Sequence, residues 1–226
     1  EAKPHPSLRM VVVIPCHDEP DLIGALKHLA NCEPSLGQAE MIVVINDSEK
    51  DGSAVTRQNK CTLCETTDWL DERRDPWLPI HLLYHPKLPP KHAGVGQARK
   101  IGMDEALRRL ADVGQAEDGL LVCYDADCRC SPNYFPGIES HFDSEPDAPG
   151  CSIHFEHPLD ANEWAALGFG DTAPGQAVFD GIAAYELHLR YHVLAQKFIG
   201  FPYAFHTIGS AMAVRAWAYV KQGGMN

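Results

Sequence analysis

The sequence predicts an α/β protein built on a mostly parallel sheet. Three observations carry that expectation. The runs MVVVIP (Met10–Pro15) and EMIVVIND (Glu40–Asp47) are continuous, apolar and β-branched, as strands buried on both faces must be. Segments with helical periodicity alternate with such runs, the pattern of strands joined by crossover helices. Three strands end abruptly in polar groups, PCHDE, NDSEKDGS and DADC. Open α/β sheets hold their ligands at the carboxyl ends of strands, so one site receiving all three is the economical reading.

The elements follow in order. After Met10–Pro15, PDLIGALKHLANC places Leu22, Leu26, Leu29 and Ala30 on one helical face, with Pro20 in the first turn. Beyond Glu40–Asp47 a polar segment reaches Pro79, and one helix is expected over about 52–60. IHLLYHP (Ile80–Pro86) is the third strand. AGVGQARKIGMDEALRRLADVG is a helix with Met103, Ala106, Leu107, Leu110 and Ala111 as its apolar stripe. LLVCYDADCRC (Leu120–Cys130) is the fourth strand and GCSIHFEHP (Gly150–Pro158) the fifth. QAVFDGIAAYELHLRYHVLAQKFIG is a long helix; a short strand near YAFHTIG and a helix at RAWAYVKQ close the chain.

With 226 residues, 45% of them hydrophobic, the chain is long enough to bury a core, and no repeat or low-complexity stretch divides it. A net charge of -12 argues against a nucleic-acid partner bound over a broad basic surface. No apolar stretch approaches the roughly 20 residues that span a bilayer. The start at Glu1, without a secretory signal, and the stop just after a glycine pair read as a piece of a longer protein. Eight cysteines permit disulfides, but a core of this size does not need them. Cys61 and Cys64 form a C-x-x-C without a second pair at zinc-site spacing, so reduced thiols in a cytoplasmic protein are the expectation. Asn46 opens a formal glycosylation sequon, NDS, which its place in the candidate site disfavours.

The D-x-D at Asp125 and Asp127 carries the sharpest chemistry. On a strand the two carboxylates share a face and repel each other, and a hard divalent ion with oxygen ligands relieves them. Asp127 is the expected metal ligand, and Asp125 the partner of a sugar hydroxyl or of a water on the ion. Taken alone the pair equally fits helix caps or solvated aspartates. Cys128 and Cys130 are too soft for such an ion. KHAGVGQARK (Lys91–Lys100) offers two glycines before a helix, where backbone N–H groups and the helix dipole can meet an anion beside Lys91 and Arg99. Its bland reading is a turn with solvated basic residues. Asp47 can accept from the imide N–H of a uracil, while Asp51 and Gly52 are also plain turn chemistry. One of Asp18 and Glu19 is expected to cap the following helix and the other to face a nucleoside. His154, His157 and His206 near strand ends are more simply read as hydrogen-bonded core histidines.

In order, these pieces resemble the family 2 glycosyltransferases of the GT-A fold. PCHDE resembles the family's P-x-x-N-E through Pro15, Asp18 and Glu19, with Asp18 in place of asparagine. VINDSEKDGS is similar to V-V-D-D-G-S-x-D-G-T, placing Asp47 on the base-recognising aspartate; Asn46 and Ser48 depart from it. GVGQARK resembles G-x-G-x-A-R-N, placing Gly94 and Arg99 at the nucleotide, and DADC resembles the metal-binding D-x-D. IGSAMAVRAWAYVKQGG resembles the segment that lines the acceptor side, through Gly209, Ser210 and Arg215. Trp164, in HPLDANEWAALGFGDTAPGQ, can stack on an acceptor sugar or sit in a core.

The resemblance implies one GT-A-like domain over 1–226, with a nucleotide-sugar-binding half (1–130) and an acceptor-side half (131–226) incomplete at its C-terminus. It implies transfer of a sugar from a nucleoside-diphosphate donor, with uridine as the base, to a carbohydrate, lipid-linked or protein acceptor. Inversion and dependence on Mn²⁺ or Mg²⁺ belong to the same expectation. The family's acidic base lies beyond the position of Asn226, so no catalytic base is assigned, and Glu156 and Asp160 are not nominated for it. Two other classes stay open. A sugar-phosphate nucleotidylyltransferase carries a glycine-rich basic loop after its first strand, where PCHDEPD is acidic and glycine-free. A non-catalytic sugar-nucleotide-binding module is the other.

Overall fold

The computed structural model describes residues 2–73, 77–160, 164 and 172–225. They fall into two compact units, Glu1–Cys151 with Gly209–Asn226, and Ser152–Ile208. Six strands run β1 (Leu8–Cys16), β2 (Gln38–Ser48), β3 (Ile80–Leu88), β4 (Leu120–Cys123), β5 (Gly150–Ser152) and β6 (Met212–Arg215). They form one sheet in the order β3-β2-β1-β4-β6-β5. The pairs β3–β2, β2–β1 and β1–β4 are parallel, and β6 joins β4 antiparallel, with Leu121 opposite Val214.

Six helices accompany the sheet among the described residues: α1 (Leu22–Ala30), α2 (Ser53–Glu72), α3 (Val95–Asp112), α4 (Tyr134–Ser144), α5 (Ala173–Phe198) and α6 (Ala216–Gln222). The continuous apolar runs of β1 and β2 lie at the centre of the sheet, where both faces are covered: Val11 through Ile14 and Met41 through Ile45 are fully buried. The helix α3 lies against one face, its Ala98, Met103, Ala106 and Leu110 in a cluster with Val11, Val13, Ile42 and Val44. The approach is close enough that a Cβ on Gly102 would stand 2.3 Å from Val13 Cγ1, so only glycine fits there.

Several expected elements differ from the observed ones, each for a physical reason. Pro20 lies outside α1. The cap is Asp21, whose carboxylate accepts from Gly24 N at 3.2 Å, so neither Asp18 nor Glu19 caps the helix. The helix expected over 52–60 runs on to Glu72; its buried face is polar, Asn59, Thr62 and Thr66, so no apolar stripe marks its full length in the sequence. The stripe of α3 buries Arg109 and leaves Ala111 exposed. Arg109 reaches the equally buried Glu40 at 2.6 Å, so charge enters the core as a pair. The fourth strand stops at Cys123 instead of running to Cys130, and the fifth is Gly150–Ser152 alone. The strand expected near YAFHTIG lies further on at Met212–Arg215; Tyr203 and Phe205 are exposed. Pro86, within β3, is tolerated because that strand is a sheet edge.

In the unit Ser152–Ile208, Thr172 caps α5 by accepting from Gly175 N at 3.2 Å. Glu186 of this helix is buried and takes both the N–H (3.1 Å) and Nδ1 (2.6 Å) of His157, with Arg190 at 3.0 Å. Burial alone would raise its pKa, but the hydrogen bonds from His157 and the charge of Arg190 outweigh that and hold it below the usual carboxylate range. His206 Nε2 meets Leu189 O at 2.8 Å. His157 and His206 are thus fixed within the unit. Ser152 Oγ donates to His206 O, fastening the start of the unit to its end.

Candidate functional site

The parallel neighbours β2, β1 and β4 deliver their carboxyl ends to one edge of the sheet. Chain order reverses at β1: β2 and β3 extend to one side, and the chain then crosses to β4 on the other. The crevice between the ends of β1 and β4 is therefore the topological switch point, where this architecture binds ligands. His17, Asp18 and Glu19 leave β1, Asp47 and Ser48 end β2, and Asp125 and Asp127 follow β4.

The exits of β1 and β2 are laced together. Asn59 of α2 accepts from Asp18 N at 2.8 Å and donates to Asn46 O at 3.0 Å. Asp18 is held at φ 54, a left-handed conformation uncommon outside glycine. His17 Nε2 lies 2.9 Å from Asp51 Oδ2, which also accepts from Ser48 N at 2.7 Å. These two contacts, the backbone one first, lower the Asp51 pKa. Asn46 is buried and donates to Ala93 O at 2.7 Å, so it is no glycosylation acceptor in the folded chain. Asp47 is fully buried; its Oδ1 accepts from Lys87 N at 2.5 Å, and its Oδ2 has no hydrogen-bond partner among the described residues. Lys87 has φ 56, a second left-handed residue beside the first cluster.

A second cluster forms where α3 passes β4. Arg99, 11% exposed in its side chain, donates through Nη2 to Asp125 Oδ1. Asp125 and Asp127 sit in a turn closed by Cys128 N on Asp125 O at 3.2 Å, not on the strand itself. Strand alternation therefore does not set their relation. Asp125 is half-buried against Arg99 and Asp127 is exposed. Gly94 ends the approach to α3 as its N-cap, and nothing lies within 4 Å of a Cβ placed on it or on Gly96. The first turn of α3 is thus open to an approaching anion. Gly209 packs on the guanidinium of Arg99 and Ser210 follows it, half-buried.

The remaining sequence-derived positions divide. Pro15 is buried inside β1 beside Val44. Glu19 accepts from Asp21 N at 2.9 Å and its carbonyl accepts from Thr62 Oγ1 at 2.8 Å. Trp164, in the other unit, is buried, donates from Nε1 to Pro158 O at 2.6 Å and packs edge-on against Phe179, as a core tryptophan does. Arg215 is buried too, donating to Phe142 O in the last turn of α4 and to Ala148 O in the loop after it. Asn59 is the residue that sequence reasoning missed; a lone asparagine in a polar helix carries no signal of its own.

Among the described residues no group of three His, Cys, Asp or Glu encloses a metal. The D-x-D turn does fit an ion that takes its other ligands from water and a diphosphate, as Mg²⁺ and Mn²⁺ do with one or two carboxylates. Burial, followed by the charges of Asp127 and Asp125, pushes the Cys128 thiol up to about 11, so it is protonated at neutral pH and a poor ligand.

No protein-family model and no curated protein matches the chain. Solved structures do. The mannosyltransferase PcManGT from Pyrobaculum calidifontis, in complex with GDP-Man and Mn²⁺, aligns with a TM-score of 0.51 at 16% identity over 99% of this chain. The alignment covers 50% of the mannosyltransferase, so this chain spans half its length. Two structures of S. aureus TarS 1–349, one with UDP-GlcNAc, align over 66% of this chain with TM-scores of 0.44 and 0.45 at 17% and 15% identity, covering 36% and 35% of theirs. A six-stranded, mostly parallel sheet with surrounding helices and a glycosyltransferase neighbour over its whole length give this chain the GT-A fold.

Proposed function

We propose that the chain is the GT-A-like domain of a family 2 type glycosyltransferase, moving a sugar from a uridine-diphosphate donor to an acceptor hydroxyl with inversion. One observation carries the reading: Arg99 and the D-x-D turn stand together at the end of β4, beside the switch point of the sheet. Donor binding falls to residues 1–130 and acceptor binding to 131–226, including Gly209 and Ser210. Trp164 enters only as a support of the acceptor half. A cytoplasmic setting with reduced thiols belongs to the same proposal, and no helix among the described residues is long and apolar enough to cross a membrane.

Asp127 would hold a divalent ion, Mn²⁺ or Mg²⁺, which when bound neutralises charge on the departing diphosphate. Arg99 adds charge-assisted hydrogen bonds to the phosphates, and Asp125, which it already touches, fixes its direction. Gly94 and the open first turn of α3 present N–H groups to the same anion. Asp18 and Glu19 face the nucleoside from β1. Asp47 offers a partnerless oxygen to a base N–H. Asp47 is fully buried, so the residues that cover it must move before a base reaches it.

The test is a thermal-stability panel of UDP- and GDP-sugars with and without Mn²⁺; GDP-sugars are included because PcManGT carries GDP-Man. A ligand bound by the folded state raises the melting temperature. A metal-dependent rise with UDP-sugars supports the reading. A rise only with GDP-sugars overturns the uridine assignment, and no rise with any sugar nucleotide overturns the whole.

A further inference from the structure

We propose that Cys32 and Cys130 are a reversible disulfide site that ties the D-x-D turn to the end of α1. The two residues are 98 positions apart, yet their sulfurs lie 3.4 Å from each other. The segments that carry them are already joined: Glu33 N donates to Pro132 O at 2.8 Å, and Cys32 Sγ reaches Ser131 O at 3.5 Å. Closing the sulfurs to a bonded separation of about 2.05 Å needs a movement of about 1.4 Å, within the range of side-chain rotation. Cys32 is 6% exposed and Cys130 half-buried, so an oxidant in solution meets Cys130 first.

The oxidant is a low-molecular-weight disulfide such as oxidised glutathione. Cys130 sulfur attacks it, forming a mixed disulfide and releasing one glutathione thiol. Cys32 thiolate then attacks Cys130 Sγ, forming the protein disulfide and expelling the second glutathione. Two electrons pass from the protein sulfurs to the small disulfide, and the two thiol protons leave on the released glutathiones. The product closes a loop of nearly a hundred residues and anchors the chain three residues beyond Asp127. None of this depends on the identity of the site's ligand.

The experiment uses the full chain, treated with oxidised glutathione, alkylated at its remaining thiols and digested without reductant. The expected result is a Cys32 peptide cross-linked to a Cys130 peptide and a loss of two titratable thiols, both reversed by dithiothreitol. Because Cys61 and Cys64 are exposed one turn apart on α2, the same cross-link is expected in the Cys61→Ser/Cys64→Ser variant. Oxidation is expected to raise the melting temperature by several degrees in that variant, but not once Cys130→Ser is added. Glutathione retained on Cys130 with Cys32 still alkylated, a Cys128–Cys130 linkage, or an unchanged thiol count would each overturn the proposal.

Discussion

Gly209 lies flat against the guanidinium of Arg99: a Cβ on it would overlap Nη1 and stand 2.9 Å from Cζ. A larger residue enters here only if the guanidinium, the far end of a flexible side chain, moves aside. Gly209→Ala is expected to push Arg99 away from Asp125 and to weaken uridine diphosphate binding about tenfold, roughly 1.4 kcal/mol. Titration calorimetry with Mn²⁺ checks it; unchanged affinity would show that the position of Arg99 is immaterial to the ligand.

Arg99→Ala separates phosphate recognition from base recognition. It is expected to weaken nucleoside diphosphate by at least tenfold while leaving free uridine within about twofold, since charge-assisted bonds are lost only to the phosphates. Equal losses for both ligands would contradict a phosphate contact.

Asp127→Ala removes the exposed carboxylate of the turn. Binding of sugar nucleotide that depends on Mn²⁺ is expected to vanish, with the melting temperature of the free protein unchanged within a degree or two, since an exposed side chain supports little packing. Retained metal-dependent binding would take the ion away from this turn.

Asn59 bridges the backbones of Asp18 and Asn46 from inside the fold. Asn59→Leu leaves an N–H and a carbonyl without their partner, and a loss of about 2–4 kcal/mol is expected in urea unfolding. A loss below about 0.5 kcal/mol would mean that the lacing of β1 to β2 does not depend on this amide.

The buried pair Arg109–Glu40 predicts an acid-sensitive core. Burial would raise the Glu40 pKa, but hydrogen bonds and charge from His81 and Arg109 outweigh it and bring it from 4.5 to about 2. At ~1.4 kcal/mol per pH unit, that shift stabilises the fold by about 3 kcal/mol above pH 4.5, and the gain disappears as pH falls from 4.5 toward 2. Glu40→Gln should flatten that part of the stability profile. Arg109→Met alone, which strands a buried carboxylate, should cost about 3–5 kcal/mol, and adding Glu40→Met should restore most of it. A profile of equal slope in wild type and Glu40→Gln would refute the assignment.

What the chain discloses before folding depends on how local the signal is. β1, β2 and the apolar side of α3 are legible because Val11–Ile14, Met41–Ile45 and Met103, Ala106 and Leu110 repeat at the spacing of their own element. The switch-point edge follows from the alternation of these elements. The lower part of α2 was hidden because Asn59, Thr62 and Thr66 satisfy polar neighbours instead of packing apolar surface. The D-x-D turn resembles a strand in sequence because Tyr124, buried like a strand residue, extends the apolar run past the last ladder pair at Cys123. Arg109 resembles any helix-surface arginine until Glu40 comes beside it, 69 residues away in sequence. The pairing of Arg99 with Asp125 is equally non-local.

The antiparallel strand β6 lies next to β5 in the sheet, and everything from Ser152 to Ile208 is strung between those neighbours. An excursion that leaves and re-enters through adjacent rungs can change in length or content while the edge built from the ends of β1, β2 and β4 keeps its scaffold. Grafting experiments therefore have a natural cassette here, bounded by Ser152 and Ile208.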